Sequence, residues 1–357
     1  MLIFLSSSVS IYKKRNFMRK IIVLALTALL LLSSVYANGQ TETVSTYPEK
    51  GITMIVPYGA GGTTDVSGRK FAALLSKELG VSVTVVNQAG ASGSIGCQAV
   101  LDAVPDGYTV LFTAESLGTQ RVMGLSDLSY ADYKIISPMV NDPKVIVVAK
   151  NSKYNTLADL LEDMKANPGK IKMSYTGPGG SGHVQGLIME KLGYVPAMTA
   201  YKSGSDCYLA VLSGEVDFTN SNISTVKALI ESGDLKLLGV SSNVKLSIYP
   251  DALLFEEVDP NAKEYMKNAF TPLNFLVSKE VSDEVVEVLR SATKKVIESQ
   301  EWKTFVAENA LEELYVQYPT VEAAEAFYKS WESMVSWMLD DAGVTKYSPS
   351  EFGIEKP

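Results

Sequence analysis

A short β-branched apolar run, then a loop of Gly, Ser, Thr and Asn, then an amphipathic helix: this unit recurs along the chain and constrains its fold more than any other feature. Residues 52–57 lead into the loop 58–65 and a helix to about Leu79. Residues 81–87 lead into 88–94 and a helix through Ala103, and residues 108–113 lead into 114–118. In the second half, residues 171–176 precede the loop 177–183, residues 198–202 precede 203–206, and residues 216–219 precede 220–222, each with a helix after it. Strands alternating with helices predict parallel sheets covered on both faces.

The units form two sets of three, which predicts two doubly wound α/β domains. Residues 144–150 read as an apolar, strand-like first crossing between them, and residues 269–277 as another β-like stretch where the chain crosses back. Two crossings make a hinge. The expected division is 48–147 plus 275–357 for the first domain and 148–274 for the second, with the C-terminal helices around Val321 to Leu339 completing the first.

Composition narrows the function. With 46% apolar and 20% charged residues and only 2 Cys in 357, a disordered chain and a disulfide scaffold are excluded. Residues 1–37 contain Lys13, Lys14, Arg15, Arg19 and Lys20 and no acid, which leaves 27 basic against 40 acidic residues in the remainder. Such an acidic surface repels nucleic acid and anionic lipid, so neither is an expected partner.

Residues 1–37 read as a cleavable export signal. Arg19 and Lys20 precede an apolar run from Ile21 to Leu32, and Val35-Tyr36-Ala37 fits a small-residue cleavage site. A run of that length rises about 18 Å as a helix, short of the ~30 Å hydrocarbon core, which disfavours an uncleaved anchor. Residues 38–47 then form a polar tether, and no Cys lies near the cleavage site to carry a lipid. The expected location is outside the cytoplasm. Cys97 and Cys207 could pair there or stand as small buried hydrophobes. With His183 the single histidine, no zinc site and no cofactor is expected.

In α/β sheets ligands bind beyond the carboxyl ends of strands, so these loops form the candidate site. Each opens a helix whose first N–H groups lack partners and attract anions. Thr63, Thr64, Ser92 and Ser94 add hydroxyls. One exposed helix terminus contributes about 0.3–1 kcal/mol to anion binding, whereas a micromolar complex needs about 8. Loops from both domains would have to converge on one ligand.

The segment Tyr47 to Asp65, with Pro57-Tyr58-Gly59-Ala60-Gly61-Gly62-Thr63-Thr64-Asp65 at its end, resembles the opening of solute-binding proteins of the tripartite tricarboxylate transporter (Bug) family. So do Asn87 to Gly96, Pro105-Asp106-Gly107-Tyr108-Thr109, Gly180-Ser181-Gly182-His183, Tyr201-Lys202-Ser203-Gly204 and Gly214-Glu215-Val216-Asp217. The resemblance implies a periplasmic type II binding protein of Venus-flytrap form. It would be no enzyme, binding a small organic carboxylate and delivering it to membrane permease subunits. By position, Tyr58, Gly59, Ala60, Gly61, Gly62, Thr63, Thr64 and Asp65 would hold a carboxylate through backbone amides. Ser92 and Thr113 would line the first-domain wall, and Ser181, His183, Lys202 and Asn220 the second. His183 otherwise reads as a helix-start residue, Lys202 as solvated surface, and Asp65 as a first-turn acid. The acidic surface and the implied role favour a monomer.

Three residues depart from the family pattern. Ala60 stands where the family has Pro, Ser203 displaces a Gly, and Glu115 puts a negative charge at a strand end that usually carries a small or hydroxyl residue. If Glu115 faces the cleft, it disfavours a polyanion and suits a ligand with a cationic group; otherwise it points to solvent.

Three other readings compete. Residues 177–182 match G-x-G-x-x-G, a dinucleotide fingerprint, but Tyr201-Lys202 replaces the required acid after the next strand. A hydrolase would need a triad that one histidine and no G-x-S-x-G hardly provide. A binding partner of a membrane sensor shares the fold, and the sequence does not separate it from a transport component.

Overall fold

The computed structural model describes residues 47–266 and 271–357; the export signal and nearly all of the tether lie outside them. The chain begins with β1 (Ile52–Val56), whose buried Ile52, Met54 and Val56 pack against helix α1 (Thr63–Leu79). Gly80, in the left-handed conformation at φ 71°, ends that helix by donating its N–H to Ser76. Next come β2 (Val83–Asn87), α2 (Ser94–Asp102), β3 (Thr109–Thr113) and β4 (Tyr133–Asn141).

The chain passes into a second sheet through Asp142 and Pro143. That sheet comprises β5 (Lys144–Ala149), α3 (Leu157–Ala166), β6 (Lys172–Thr176), α4 (Ser181–Lys191), β7 (Ala197–Tyr201), α5 (Gly204–Ser213), β8 (Phe218–Asn222), α6 (Ile223–Glu231) and β9 (Leu235–Ser241). It then returns to add β10 (Pro272–Ser278), α7 (Asp283–Glu298), α8 (Gln300–Glu308), β11 (Glu312–Glu313) and α9 (Val321–Asp341) to the first part.

The strand orders are β2-β1-β3-β10-β4-β11 and β7-β6-β8-β5-β9. The chain therefore forms two α/β lobes, the fold class that sequence periodicity predicts. The sheets are mixed, however, where parallel ones were expected. β10 runs antiparallel to β3 and β4, and β5 antiparallel to β8 and β9. The reason lies in the crossings. A strand arriving from the other lobe enters at the edge facing that lobe and runs away from it, whereas its neighbours run toward it. Residues 144–150, expected as a strand-like crossing, are mostly strand β5, with Val145, Ile146, Val147 and Val148 fully buried between helical layers; the crossing itself falls just before it, at Asp142 and Pro143.

Helix α9, assigned to the first domain from sequence, belongs to both lobes. Ala324 and Tyr328 pack with Tyr130 and Tyr133 of the first lobe, while Trp331, Val335 and Leu339 join the core containing Ile146, Tyr154 and Ile188 of the second.

Candidate functional site

A cavity of about 310 Å³ lies between the lobes, where the carboxyl ends of β1, β3, β6 and β8 meet the amino ends of β5 and β10. That size suits one small organic molecule. Residues from both halves line it, including Tyr58, Gly59, Gly62, Thr63, Thr64, Ser92 and Glu115 from the first, and Ser181, Lys202, Asn222 and Thr271 further on.

Lys144 is the one buried cation of this lining, at 3% exposure. Its Nζ donates to Asn222 Oδ1 at 2.9 Å. Burial lowers its pKa, opposed by the negative charges of Glu115 and Asp142. Asp142 lies behind it in the crossing and accepts from the hydroxyls of Thr63 and Ser224. Burial pushes the Asp142 carboxyl up to about 6, against the lowering effect of those hydroxyls and of Lys144. Asn222 Nδ2 donates to the Asp142 carbonyl at 2.7 Å and so fixes the amide oxygen toward Lys144.

Helix starts from both lobes reach the cavity, those of α1 and α4 among them. The N-cap of α1 is Gly62, with no side chain to satisfy the first amides, and Thr63 and Thr64 line the space in front of it. The N-cap of α4 is Gly180, equally bare. There the Ser181 N–H donates to Glu115 Oε1 at 2.6 Å, from the opposite lobe. Glu115 therefore faces inward; it is 4% exposed. Further bonds join the lobes around the rim. Ser92 Oγ donates to the Pro178 carbonyl at 2.9 Å, Thr119 Oγ1 to that of Gly179 at 2.9 Å, and Ser205 Oγ to that of Ala60 at 2.9 Å.

Of the residues singled out by sequence, Ala60, Gly61, Asp65, Thr113, His183 and Asn220 do not line the cavity. Asp65 ties the 58–65 loop together. It accepts from Gly61 N at 2.9 Å and Asn87 Nδ2 at 2.9 Å and pairs with Arg69 Nε at 2.8 Å. Burial would raise its pKa, but the bonds from Arg69, Gly61 and Asn87 outweigh that and hold it below the ordinary value. His183 Nδ1 accepts the Gly179 N–H at 3.1 Å while the ring stacks on Tyr175, and burial lowers its pKa to about 4. Thr113 and Asn220 sit one pleat too deep in β3 and β8; Asn220 Nδ2 bonds Gln185 and Ser241 within the second lobe. Sequence reasoning missed Lys144 and Thr271, and in the loop 220–222 it singled out Asn220 where Asn222 lines the cavity. Cys97 and Cys207 are free and buried, their thiols pushed up by burial to about 12 and about 11. Among the described residues no cluster of metal-ligating side chains occurs, and no helix is long and apolar enough to cross a membrane.

The family model described as "Tripartite tricarboxylate transporter family receptor" matches residues 68–325. A UPF0065 protein of Bordetella pertussis is 30% identical over 305 residues, covering 84% of this chain and 90% of that protein. The solved structure of the periplasmic binding protein BugD superposes with a TM-score of 0.77 at 26% identity, covering 84% of this chain and all of that one. Rpa4515 of R. palustris, solved with adipate, shares the fold at 20% identity, with a TM-score of 0.75 over 83% of this chain and 98% of that one.

Proposed function

Because this chain belongs to the tripartite tricarboxylate transporter receptor family, we propose that it is an exported solute-binding protein. It takes a small organic carboxylate between its lobes and hands it to the permease subunits of such a transporter. The lobes would act as hinged domains, divided at the crossings near Asp142 and ahead of Thr271. The observation that carries this reading is the buried Lys144 ammonium beside the uncapped start of α1, inside a cavity built from both lobes.

Physical arithmetic supports a carboxylate. A hydrogen bond to a charged group contributes about 1.5–3 kcal/mol, and a partly buried helix terminus up to ~2. Together with the hydroxyls of Thr64 and Ser181, which line the cavity, and exclusion of water, these reach the range of a micromolar complex. Lys202, exposed at the rim, adds a steering charge. The periplasmic location rests on the export signal read in the first 37 residues.

Thermal unfolding of the mature chain against mono-, di- and tricarboxylates and amino acids tests the binding step. A ligand at a hundredfold excess over its Kd should stabilise by about 2.7 kcal/mol. Deletion of the gene should abolish uptake of the same acid. Intact uptake would refute delivery to a permease.

A further inference from the structure

Glu115 and Lys144 are buried in the cavity wall, with Asp142 buried behind Lys144, and their bonding is unequal. Asp142 is held by Thr63 and Ser224, and Lys144 by Asn222. Glu115 is half satisfied: Oε1 accepts the Ser181 N–H at 2.6 Å, and Oε2, also buried, has no hydrogen-bond partner among the described residues. The Glu115 carboxylate, supplied by the first lobe, thus occupies the place at the α4 start where a ligand anion would otherwise sit.

Two consequences follow from that placement. The seat for a carboxylate beside a buried cation is then the one in front of Lys144 and the α1 start. The Glu115 side of the cavity also keeps a buried carboxylate with one oxygen unpaired. A second ligand carboxylate would meet Glu115 rather than a donor, and like charges in a dry cavity repel. A protonated amine there would offset the Glu115 charge locally and supply the donor that Oε2 lacks.

We propose that the cavity selects a zwitterionic acid, its single carboxylate on the Lys144 side and its ammonium against Glu115, and rejects di- and tricarboxylates. This rests on the solute-binding reading above and names the ligand class for it. Glu115 is the specificity-determining residue, and Lys144 holds the end common to every acid.

Calorimetric titration of the mature chain at neutral pH with 5-aminovalerate, valerate and glutarate, and with 4-aminobutyrate, butyrate and succinate, tests the assignment. The amino acid of each set should bind at least tenfold more tightly than the matched dicarboxylate and the plain monocarboxylate. Glu115→Gln, which keeps the shape and the acceptor for Ser181, should erase that preference. A dicarboxylate that binds as well as or better than its amino counterpart overturns this inference and leaves the carboxylate receptor standing. Failure of every acid to bind overturns both. An unchanged preference in a folded Glu115→Gln protein removes Glu115 from the role. Should that variant not fold, the wild-type comparison decides by itself.

Discussion

Among single residues, Lys144 and His183 show how burial turns a charge into a working part or a structural one. Lys144 is a charged side chain at 3% exposure whose ammonium has one protein acceptor, Asn222 Oδ1, and open space before it. Lys144→Met, similar in length and free of charge, should leave the fold intact and weaken any bound acid about 10- to 100-fold, the size of a charge-assisted hydrogen bond. Titration with the tightest acid found for the wild type checks this; an unchanged Kd would remove Lys144 from the site. The same variant strips Asp142 of its cation, so the Asp142 carboxyl, already raised to about 6 by burial, should rise further, visible in its carbon chemical shift against pH. His183 works in the opposite sense. Burial lowers its imidazole from the ordinary 6.5 to about 4, so the unfolded chain takes up a proton before the folded one does. Its contribution is complete above pH 6.5 and disappears as pH falls through 4, on the order of 3 kcal/mol in all. His183→Asn, which can still accept the Gly179 N–H, should flatten the stability profile in that window. Denaturant unfolding at pH 4, 5.5 and 7 measures it, and a slope equal to the wild type's would contradict the assignment.

At the level of strands, loops and helices, the sequence was legible wherever a local period existed. The alternation of apolar runs and amphipathic helices located both sheets, and the Gly-rich loops located most of the cavity wall. What it concealed was strand direction. Reading only carboxyl ends picks out Tyr58 and Ser181, which line the cavity, and leaves the direction of Glu115 open, but passes over Lys144 and Thr271, because these lie at the amino ends of the two antiparallel strands. Direction is set by which lobe a strand arrives from, and that is a long-range property with no local signature. The Asp142-Pro143-Lys144 cluster at the head of an apolar run was the available hint, since two opposite charges beside a buried strand ask for a reason. The 177–183 loop offers a test at this scale. Gly179 sits at φ +76°, and a Cβ there would lie 2.7 Å from Thr119 Oγ1 and 2.8 Å from Met123 Cγ, both in the other lobe's segment. Gly193 has φ +87° and nothing within 4 Å. Either Gly→Ala change should cost about 1–2 kcal/mol from the left-handed backbone. Only Gly179→Ala should also hold the lobes apart, with a larger radius of gyration by small-angle scattering. Equal scattering from both variants would mean that this loop does not govern closure.

For the molecule as a whole, the decisive element is α9. Its first half completes a cluster on the first sheet and its second half is built into the core of the second lobe, where Trp331 is fully buried beside Val335 and Leu339. A helix shared in this way ties the stability of one lobe to that of the other. When the second core loosens, Trp331 leaves it, and the same rigid helix withdraws Tyr328 from its stack on Tyr130 in the first, 4.6 Å between ring centres. The interlobe bonds of Ser92, Thr119 and Glu115 act in the same direction, although each is individually modest. The lobes can therefore swing about the crossings only as far as α9 bends or slides, and they should unfold together. Scanning calorimetry of the mature chain is expected to show one transition. Trp331→Ala, a large-to-small change in a closed core worth about 3–5 kcal/mol, should lower that transition as a unit, with fluorescence and circular dichroism coincident. Two resolved transitions in the wild type, or loss of the second lobe alone in the variant, would show instead that the lobes are independent and that α9 merely lies across them.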